Sequence, residues 1–128
     1  MIMLTYSQKK YLFAIYKLSQ KGGAVRSADV AKLVGVSKPS TVKMTQRLIE
    51  DGYITKEPYT EITLTEKGIN AASGLYTSKV IICDFLTGSA GISSDVADND
   101  SVSMVSHLSE EALEKLTAFA LDLKKCPQ

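Results

Sequence analysis

Residues 37–54 read SKPSTVKMTQRLIEDGYI and combine a helix start signal, an amphipathic run and a helix stop signal. Ser37 belongs to the residue types that cap helix N-termini, and Pro39 suits the first turn because its missing N–H would have no helical partner there. We expect the helix to end at Glu50 or Asp51, because the glycine that follows is typical of the left-handed position after a helix. The stretch therefore predicts one well-bounded helix.

The two faces of this predicted helix differ in chemistry. On one face, residues that recur three and four apart are expected to point towards the core: Val42, Thr45, Leu48 and Ile49. The opposite face collects a small hydroxyl and two cations: Ser40, Lys43 and Arg47. A helix with such a polar face is either an ordinary surface helix or one that enters a groove of DNA.

Two shorter helices are predicted before this stretch. Ser7 is expected to cap the first, which runs to about Ser19 before Lys21-Gly22-Gly23 ends it. A short strand at residues 24–26 follows. Ser27 is then expected to cap a second helix that Gly35 terminates, with Val30, Ala31 and Leu33 or Val34 facing inward.

The periodicity changes after the third helix. Residues 53–56 and 61–64 alternate in the manner of two strands, with a turn at residues 57–60 between them. A helix, a short strand, two further helices and a hairpin, in this order, are typical of the winged helix-turn-helix. Our prediction is therefore a mainly α chain that starts with this domain.

The second half of the chain is predicted to be helical. Thr65 is expected to cap a long helix that runs to about Leu86 and is apolar on several sides, which favours burial against a partner subunit. Two short helices are predicted next, from Ser93 or Ser94 and over residues 101–107. A last amphipathic helix, capped by Ser109, spans residues 110–125 and carries an apolar stripe: Leu113, Leu116, Phe119, Ala120 and Leu123.

The charge of the chain is unevenly distributed. The net charge of the 128 residues is +1, but residues 1–74 hold eleven Lys and Arg against six Asp and Glu. Residues 75–128 hold four against eight, so the front half is basic and the back half acidic. Cationic groups supply affinity for DNA because each neutralised phosphate releases condensed counterions. The front half is thus the candidate for binding nucleic acid.

In a winged helix-turn-helix, the third helix projects its N-terminal half into the major groove. Lys43 could donate to guanine or to a phosphate, whereas Arg47, a turn later, is better placed for phosphate. The sequence therefore predicts a set of DNA-binding residues around this helix and the hairpin: Arg26, Ser27, Ser37, Lys38, Pro39, Ser40, Lys43, Arg47, Lys56 and Tyr59.

These motifs resemble a known family. The stretch VSKPSTVKMTQRLIEDGYI, preceded by GGAVRSADVAKLVG and followed by ITLTEKG, is similar to the DNA-binding domain of the metal-dependent repressors, such as the diphtheria toxin repressor and the manganese transport regulators. The likeness continues through YLFAIYKL and SHLSEEALEKL. It implies a homodimeric transcriptional repressor of the short form, without the extra C-terminal domain of some members, that binds a palindromic operator in double-stranded DNA. The implied domains are a winged helix-turn-helix at residues 1–68 and a helical dimerisation domain at residues 69–128.

The chain departs from this family at the positions where the resemblance implies metal ligands. Those positions are occupied here by residues that are poor ligands for a divalent ion: Lys10, Phe13, Lys79, Val102, Val105 and Ser106. His107, the only histidine, lies beside this set, and a one-residue shift would be needed to bring it in with Asp98 or Asp100. We therefore expect no regulatory metal and no cofactor. One hypothesis is that Phe13, Val102 and Val105 form a hydrophobic plug that replaces the metal; another is that a small organic effector, of unknown identity, binds there.

Other functions have less support in the sequence. An enzyme is not expected, because there is no Cys/His or Ser/His/Asp cluster and no Gly-rich phosphate loop. A winged-helix module that binds only proteins stays an alternative. No apolar run approaches a membrane span, and the N-terminus lacks the layout of a signal peptide, so we expect a cytoplasmic protein. Cys83 and Cys126 show no CxxC spacing and are expected to be free thiols, whose role is unknown.

Overall fold

The computed structural model describes residues 4–56 and 61–125. The described ranges form six α-helices and one antiparallel pair of two-residue strands, in the order α1 (Tyr6–Gln20), α2 (Ser27–Val34), α3 (Lys38–Glu50), β1 (Ile54–Thr55), β2 (Thr63–Leu64), α4 (Glu66–Gly88), α5 (Ser94–His107) and α6 (Glu110–Lys125). The mainly α fold with a winged helix-turn-helix at its start is the predicted one.

The chain divides into two compact units, Met1–Gly74 and Leu75–Gln128. The division falls inside α4, at the point where the sequence changes from basic to acidic. The predicted domain boundary after residue 68 stays a prediction.

Helix α1 begins two residues earlier than predicted, because Ser7 was expected to be its cap. Thr5 caps it instead, accepting a hydrogen bond from the Gln8 backbone N–H at 3.1 Å. In return, Thr5 N–H donates to Gln8 Oε1 at 3.0 Å, so the two residues form a reciprocal capping box. Two satisfied backbone donors make Thr5 the better start than Ser7, which lies inside the helix.

Helix α2 also differs from the prediction at its start. Its N-cap is Arg26, whose backbone is extended, and Ser27 is the first helical residue rather than the cap. The end is as predicted, because Gly35 adopts a left-handed φ of 81°. Val30 and Ala31 are buried as expected; of the two alternatives at the next turn, Val34 packs against the core and Leu33 is exposed.

The core of the first unit is built from α1, α2, α3 and the hairpin. Its buried apolar side chains form a single cluster: Tyr11, Leu12, Ala14, Ile15, Val25, Val30, Leu48, Tyr53, Ile54, Ile62 and Ala72. Each large apolar side chain buried in this way contributes about 1.5–3 kcal/mol to folding. The cluster fixes α3 from its inner side and leaves the opposite side of the helix free.

The hairpin pairs Ile54 with Leu64 and Thr55 with Thr63. It is shorter than predicted, and the predicted turn at residues 57–60 lies outside the described residues. Residues 24–26 do not form the predicted strand, but the Val25 carbonyl accepts a hydrogen bond from Ile62 N–H at 2.8 Å. This bond attaches the hairpin to the segment before α2.

In the second unit, α5 is one helix where two short ones were predicted. Ser101, expected to start a new helix, lies in its middle and is fully buried. Its hydroxyl donates to the Asp98 carbonyl at 3.0 Å, so burial leaves no unpaired polar group and the helix continues. Ser109 caps α6 as predicted, accepting from Ala112 N–H at 3.1 Å.

Two ion pairs connect helices within the second unit. The Lys79 ammonium of α4 pairs with the Asp98 carboxylate of α5, and the Lys124 ammonium of α6 lies 2.7 Å from the Asp84 carboxylate of α4. The predicted stripe of α6 is only partly buried: Ala120 is buried, whereas Phe119 is 56% exposed. None of the helices in the described ranges has the length and apolar content needed to cross a bilayer.

Candidate nucleic-acid interface

The start of α3 is fixed by local hydrogen bonds. Ser37 Oγ accepts from Ser40 N–H at 3.3 Å and donates to the Ser40 hydroxyl at 3.0 Å, so Ser37 is the cap that the sequence predicted. Pro39 lies in the first turn, where no N–H is needed. The helix ends at Glu50, and Gly52 follows with a left-handed φ of 83°. These signals place the helix with the predicted bounds.

Two buried threonines lie on the inner side of α3. The Thr41 hydroxyl donates to the Ser37 carbonyl at 3.1 Å, and the Thr45 hydroxyl donates to the Thr41 carbonyl at 2.6 Å. Because both hydroxyls are satisfied by the helix backbone, the two side chains can present their methyl groups to the core. The prediction placed Val42 on this inner face, and it was wrong: Val42 is 59% exposed.

The predicted DNA-binding residues of α3 lie on its outer side. Those that the structure places in solvent are Ser37, Lys38, Pro39, Ser40, Lys43 and Arg47. Short side chains at the start of a helix permit close approach of its backbone to a ligand, and the B-DNA major groove is wide enough to admit a helix. The face therefore has the shape and the charge that contact with DNA requires.

The remaining predicted positions lie around this face. Arg26 is exposed at the cap of α2. The Lys56 ammonium, after β1, donates to the Ser27 hydroxyl at 2.7 Å, so these two predicted residues are brought together and are both partly buried. Tyr59 lies outside the described residues.

A network that the sequence did not reveal holds the end of α3. Gln8 of α1 is 1% exposed, and its Nε2 donates to the Asp51 carboxylate at 2.6 Å. Lys67 Nζ donates to the Asp51 carbonyl at 2.7 Å, and the Thr65 hydroxyl donates to the Gly52 carbonyl at 2.6 Å. The carbonyls that a helix leaves unpaired at its C-terminus thus receive donors from outside the helix.

The Tyr53 ring contacts Lys67 and so belongs to the same network. The Lys67 ammonium lies 4.4 Å from the centre of the Tyr53 ring, a cation–π distance. Burial raises the pKa of the Tyr53 phenol, and the neighbouring Asp51 carboxylate raises it further. Both effects disfavour the negatively charged form of the phenol beside the Asp51 carboxylate.

Replacing Gln8 with glutamate should destabilise the first unit. A carboxylate at this buried position would face the Asp51 carboxylate, and the hydrogen bond between the two side chains would be lost, at a cost of about 2 kcal/mol. Urea unfolding at neutral pH measures the change.

The second substitution Asp51→Asn provides the matched control. In the Gln8→Glu, Asp51→Asn protein the amide and the carboxylate are exchanged, so the hydrogen bond can form again and most of the stability should return. If the double variant is as unstable as Gln8→Glu, the bond between residues 8 and 51 does not hold α3.

The positions at which the family resemblance implies metal ligands are occupied in the structure by side chains that are buried or already engaged. In the second unit, Val105 is fully buried, and the Ser106 hydroxyl donates to the Val102 carbonyl at 2.8 Å. Lys79 is paired with Asp98, and its side chain is only 15% exposed. Apolar side chains, an engaged hydroxyl and an ammonium do not form a donor set for a divalent ion.

The other residues considered for a metal also do not form a donor set. Phe13 is buried, and the Lys10 ammonium lies 5.5 Å from the Tyr6 ring centre within α1. His107 is exposed, and its Nδ1 lies 2.9 Å from the Ser103 carbonyl oxygen. In residues 4–56 and 61–125 no group of three or more His, Cys, Asp or Glu side chains is arranged to hold a metal ion. The described residues therefore do not fit the metal that the resemblance implies.

Comparison with known proteins places both halves of the chain in one family. Residues 3–62 match the iron dependent repressor N-terminal DNA binding domain, and residues 65–128 match the iron dependent repressor metal binding and dimerisation domain. An uncharacterised HTH-type transcriptional regulator of Methanocaldococcus jannaschii is 31% identical over 114 residues, which cover 89% of this chain and 88% of the relative. The transcriptional regulator MntR of Salmonella typhimurium is 33% identical, over 85% of this chain and 69% of MntR.

Solved structures agree on the fold. IdeR of T. acidophilum matches with a TM-score of 0.77 at 18% identity, over 98% of this chain and 56% of the IdeR chain. This chain thus spans little more than half of that relative. The resemblance inferred from the sequence is confirmed, and the family consists of DNA-binding regulators rather than enzymes. The chain belongs to the iron dependent repressor family and is a DNA-binding transcriptional regulator.

Proposed function

We propose that the chain acts as a homodimeric repressor that binds a palindromic site in double-stranded DNA without a regulatory metal. The observation that carries the proposal is the outer side of α3, where small polar residues and the cations Lys43 and Arg47 are exposed while the buried Thr41 and Thr45 face the core. Lys43 contacts a base edge, and Arg47 contacts a phosphate. Arg26, Lys38 and Lys56 add cationic contacts around them.

Dimerisation is supported by apolar side chains that the second unit leaves in solvent. These are large residues of α4, α5 and α6: Tyr76, Val80, Val96, Phe119, Leu121 and Leu123. Exposed apolar surface of this kind is typical of a binding site for another protein. A twofold dimer places its two copies of α3 about 34 Å apart, one turn of DNA. Light scattering of the purified chain tests this, and a monomer that occupies a single half-site would contradict it.

Metal independence is supported by the side chains that occupy the implied ligand positions. Lys79 supplies a positive charge of its own, paired with Asp98, and Val105 is packed in the interior. A divalent ion would have to displace these groups, and the part of the chain that the structure describes offers no set of carboxylate, thiolate or imidazole ligands in their place.

Chelation is therefore expected to leave DNA affinity unchanged. Fluorescence anisotropy with a labelled operator, measured with and without a chelator, gives the comparison. The control is the same titration after adding manganese or iron to the chelated protein. Affinity that disappears with the chelator and returns with either ion would show that the proposal of metal independence is wrong.

Salt dependence separates DNA binding from a role in protein contacts alone. A protein that neutralises several phosphates loses affinity steeply as salt rises, because counterions are released on binding. We expect this slope with random duplex DNA as well as with the operator. A flat response, or no binding to any duplex, would favour a winged-helix module that binds only proteins.

A further inference from the structure

One large apolar side chain interrupts the polar outer side of α3. Val42 is 59% exposed, the highest value among the large hydrophobic residues in the described ranges. Burial does not explain it, since Thr41 and Thr45 occupy the inner face. Helix formation does not explain it either, because β-branched residues are weaker helix formers than the long straight-chain polar residues usual on a helix surface.

Val42 lies next to other exposed residues on the surface of α3. Residues three and four apart are adjacent on a helix surface, so Val42 lies beside the exposed Pro39 and Gln46. Pro39 and Val42 together form an apolar edge along the first two turns of α3. Lys43, the next residue in the chain, lies about 100° further round the helix and borders this edge.

The apolar edge matches one chemical feature of the major groove. The edges of the bases there carry hydrogen-bond donors and acceptors, and the C5-methyl group of thymine is the apolar exception. Apolar side chains on a helix in the groove distinguish thymine by contact with this methyl group. A lysine beside that contact can bind a neighbouring guanine or phosphate.

We propose that Val42 is a specificity-determining residue that packs, beside Pro39, against the C5-methyl group of a thymine in each half-site of the operator. The inference rests on the proposed function, because it requires α3 to lie in the major groove. It adds a base preference that the cationic residues alone do not provide: a thymine next to the contact made by Lys43.

The test removes the methyl group from the DNA. A bound sequence is first selected from a pool of random duplexes with the wild-type protein, and each thymine is then replaced in turn by deoxyuridine, which lacks only the C5-methyl. At one position per half-site, the replacement should weaken binding about fourfold, the change expected when one buried methyl group is lost. The Val42→Ala protein should bind the thymine and deoxyuridine duplexes equally well.

Ile69→Ala is the matched control. Ile69 is also an exposed β-branched residue, 48% exposed, but it lies on α4 and not on α3, so its variant should keep the full discrimination. Alanine at position 42 favours the helix, and circular dichroism verifies that the variant is folded.

The outcomes distinguish this inference from the proposed function. If wild-type protein binds a selected sequence but no deoxyuridine replacement changes the affinity, Val42 does not contact thymine. The same conclusion follows if Val42→Ala keeps the discrimination, or if Val42→Ala changes self-association and not base preference, which would assign the residue to a protein contact. If no duplex is selected at all, the proposed function itself fails, and this inference fails with it.

Discussion

The Gly68→Ala protein is expected to lose roughly 3 kcal/mol of the free energy of unfolding, at the upper end of the overpacking range. A Cβ at position 68 would lie 2.0 Å from the Tyr53 carbonyl oxygen and 3.0 Å from its carbonyl carbon. The obstacle is backbone, and it is fixed, because the same Tyr53 carbonyl accepts a hydrogen bond from Thr65 N–H at 3.0 Å. The methyl group can be accommodated only if the start of α4 moves away from the backbone of Tyr53.

Gly74→Ala supplies a control on the same helix. A Cβ there meets nothing within 4 Å, so this variant should gain about 0.5–1 kcal/mol from the better helix propensity of alanine. Urea unfolding followed by circular dichroism measures both variants. Equal stability of the two would show that the close approach of α4 to Tyr53 does not limit the fold.

Replacing Lys43 with alanine is expected to weaken operator binding by about 1–3 kcal/mol, up to roughly a hundredfold in affinity. Lys43 is exposed on the outer side of α3, and the loss should be larger on the operator than on random duplex DNA if it donates to a base. Anisotropy titrations with both duplexes at one salt concentration give the two values.

Arg47→Ala is the comparison for this prediction. Arg47 lies one turn later, and a phosphate contact should weaken binding by similar factors on all sequences and reduce the salt slope. If both variants lose affinity equally on operator and random DNA, the assignment of Lys43 to a base and Arg47 to a phosphate is contradicted.

The sequence predicted best the features that depend on backbone geometry alone. Gly35 has the left-handed φ that ends α2, and Gly52 has the left-handed φ of the residue after the C-cap of α3. Pro39 lies in the first turn of α3, where a missing N–H leaves no hydrogen bond unmade. Such signals act over a few residues and need no knowledge of tertiary contacts. They were sufficient to place α3, the helix on which the candidate interface depends.

The errors in helix bounds and in the inner face of α3 arose from polar side chains whose hydrogen-bond partners cannot be identified from the sequence. Thr5 caps α1 through its reciprocal bond with Gln8, where the sequence predicted Ser7. Ser101 lies buried inside one continuous α5, with its hydroxyl paired to a carbonyl of the same helix, where the sequence predicted the start of a second helix.

The inner face of α3 was predicted correctly at Thr45 and Leu48 and wrongly at Val42. Thr41 lies in the core instead, with its hydroxyl paired to the Ser37 carbonyl. Hydrophobicity alone therefore misplaced Val42.

The bond from Gln8 to Asp51 was not predictable for a different reason. It joins residues 43 positions apart, and no local sequence signal links the two. The candidate interface was thus inferred from local signals on α3, while the contacts that hold α3 against α1 and α4 required the structure.

The pair of Lys79 with Asp98 has a consequence for how the chain responds to its surroundings. An ammonium group that is covalently part of the polypeptide has a local concentration that no sequestering agent can lower and no influx can raise. The charge that joins α4 to α5 is therefore present in every molecule as soon as the chain has folded.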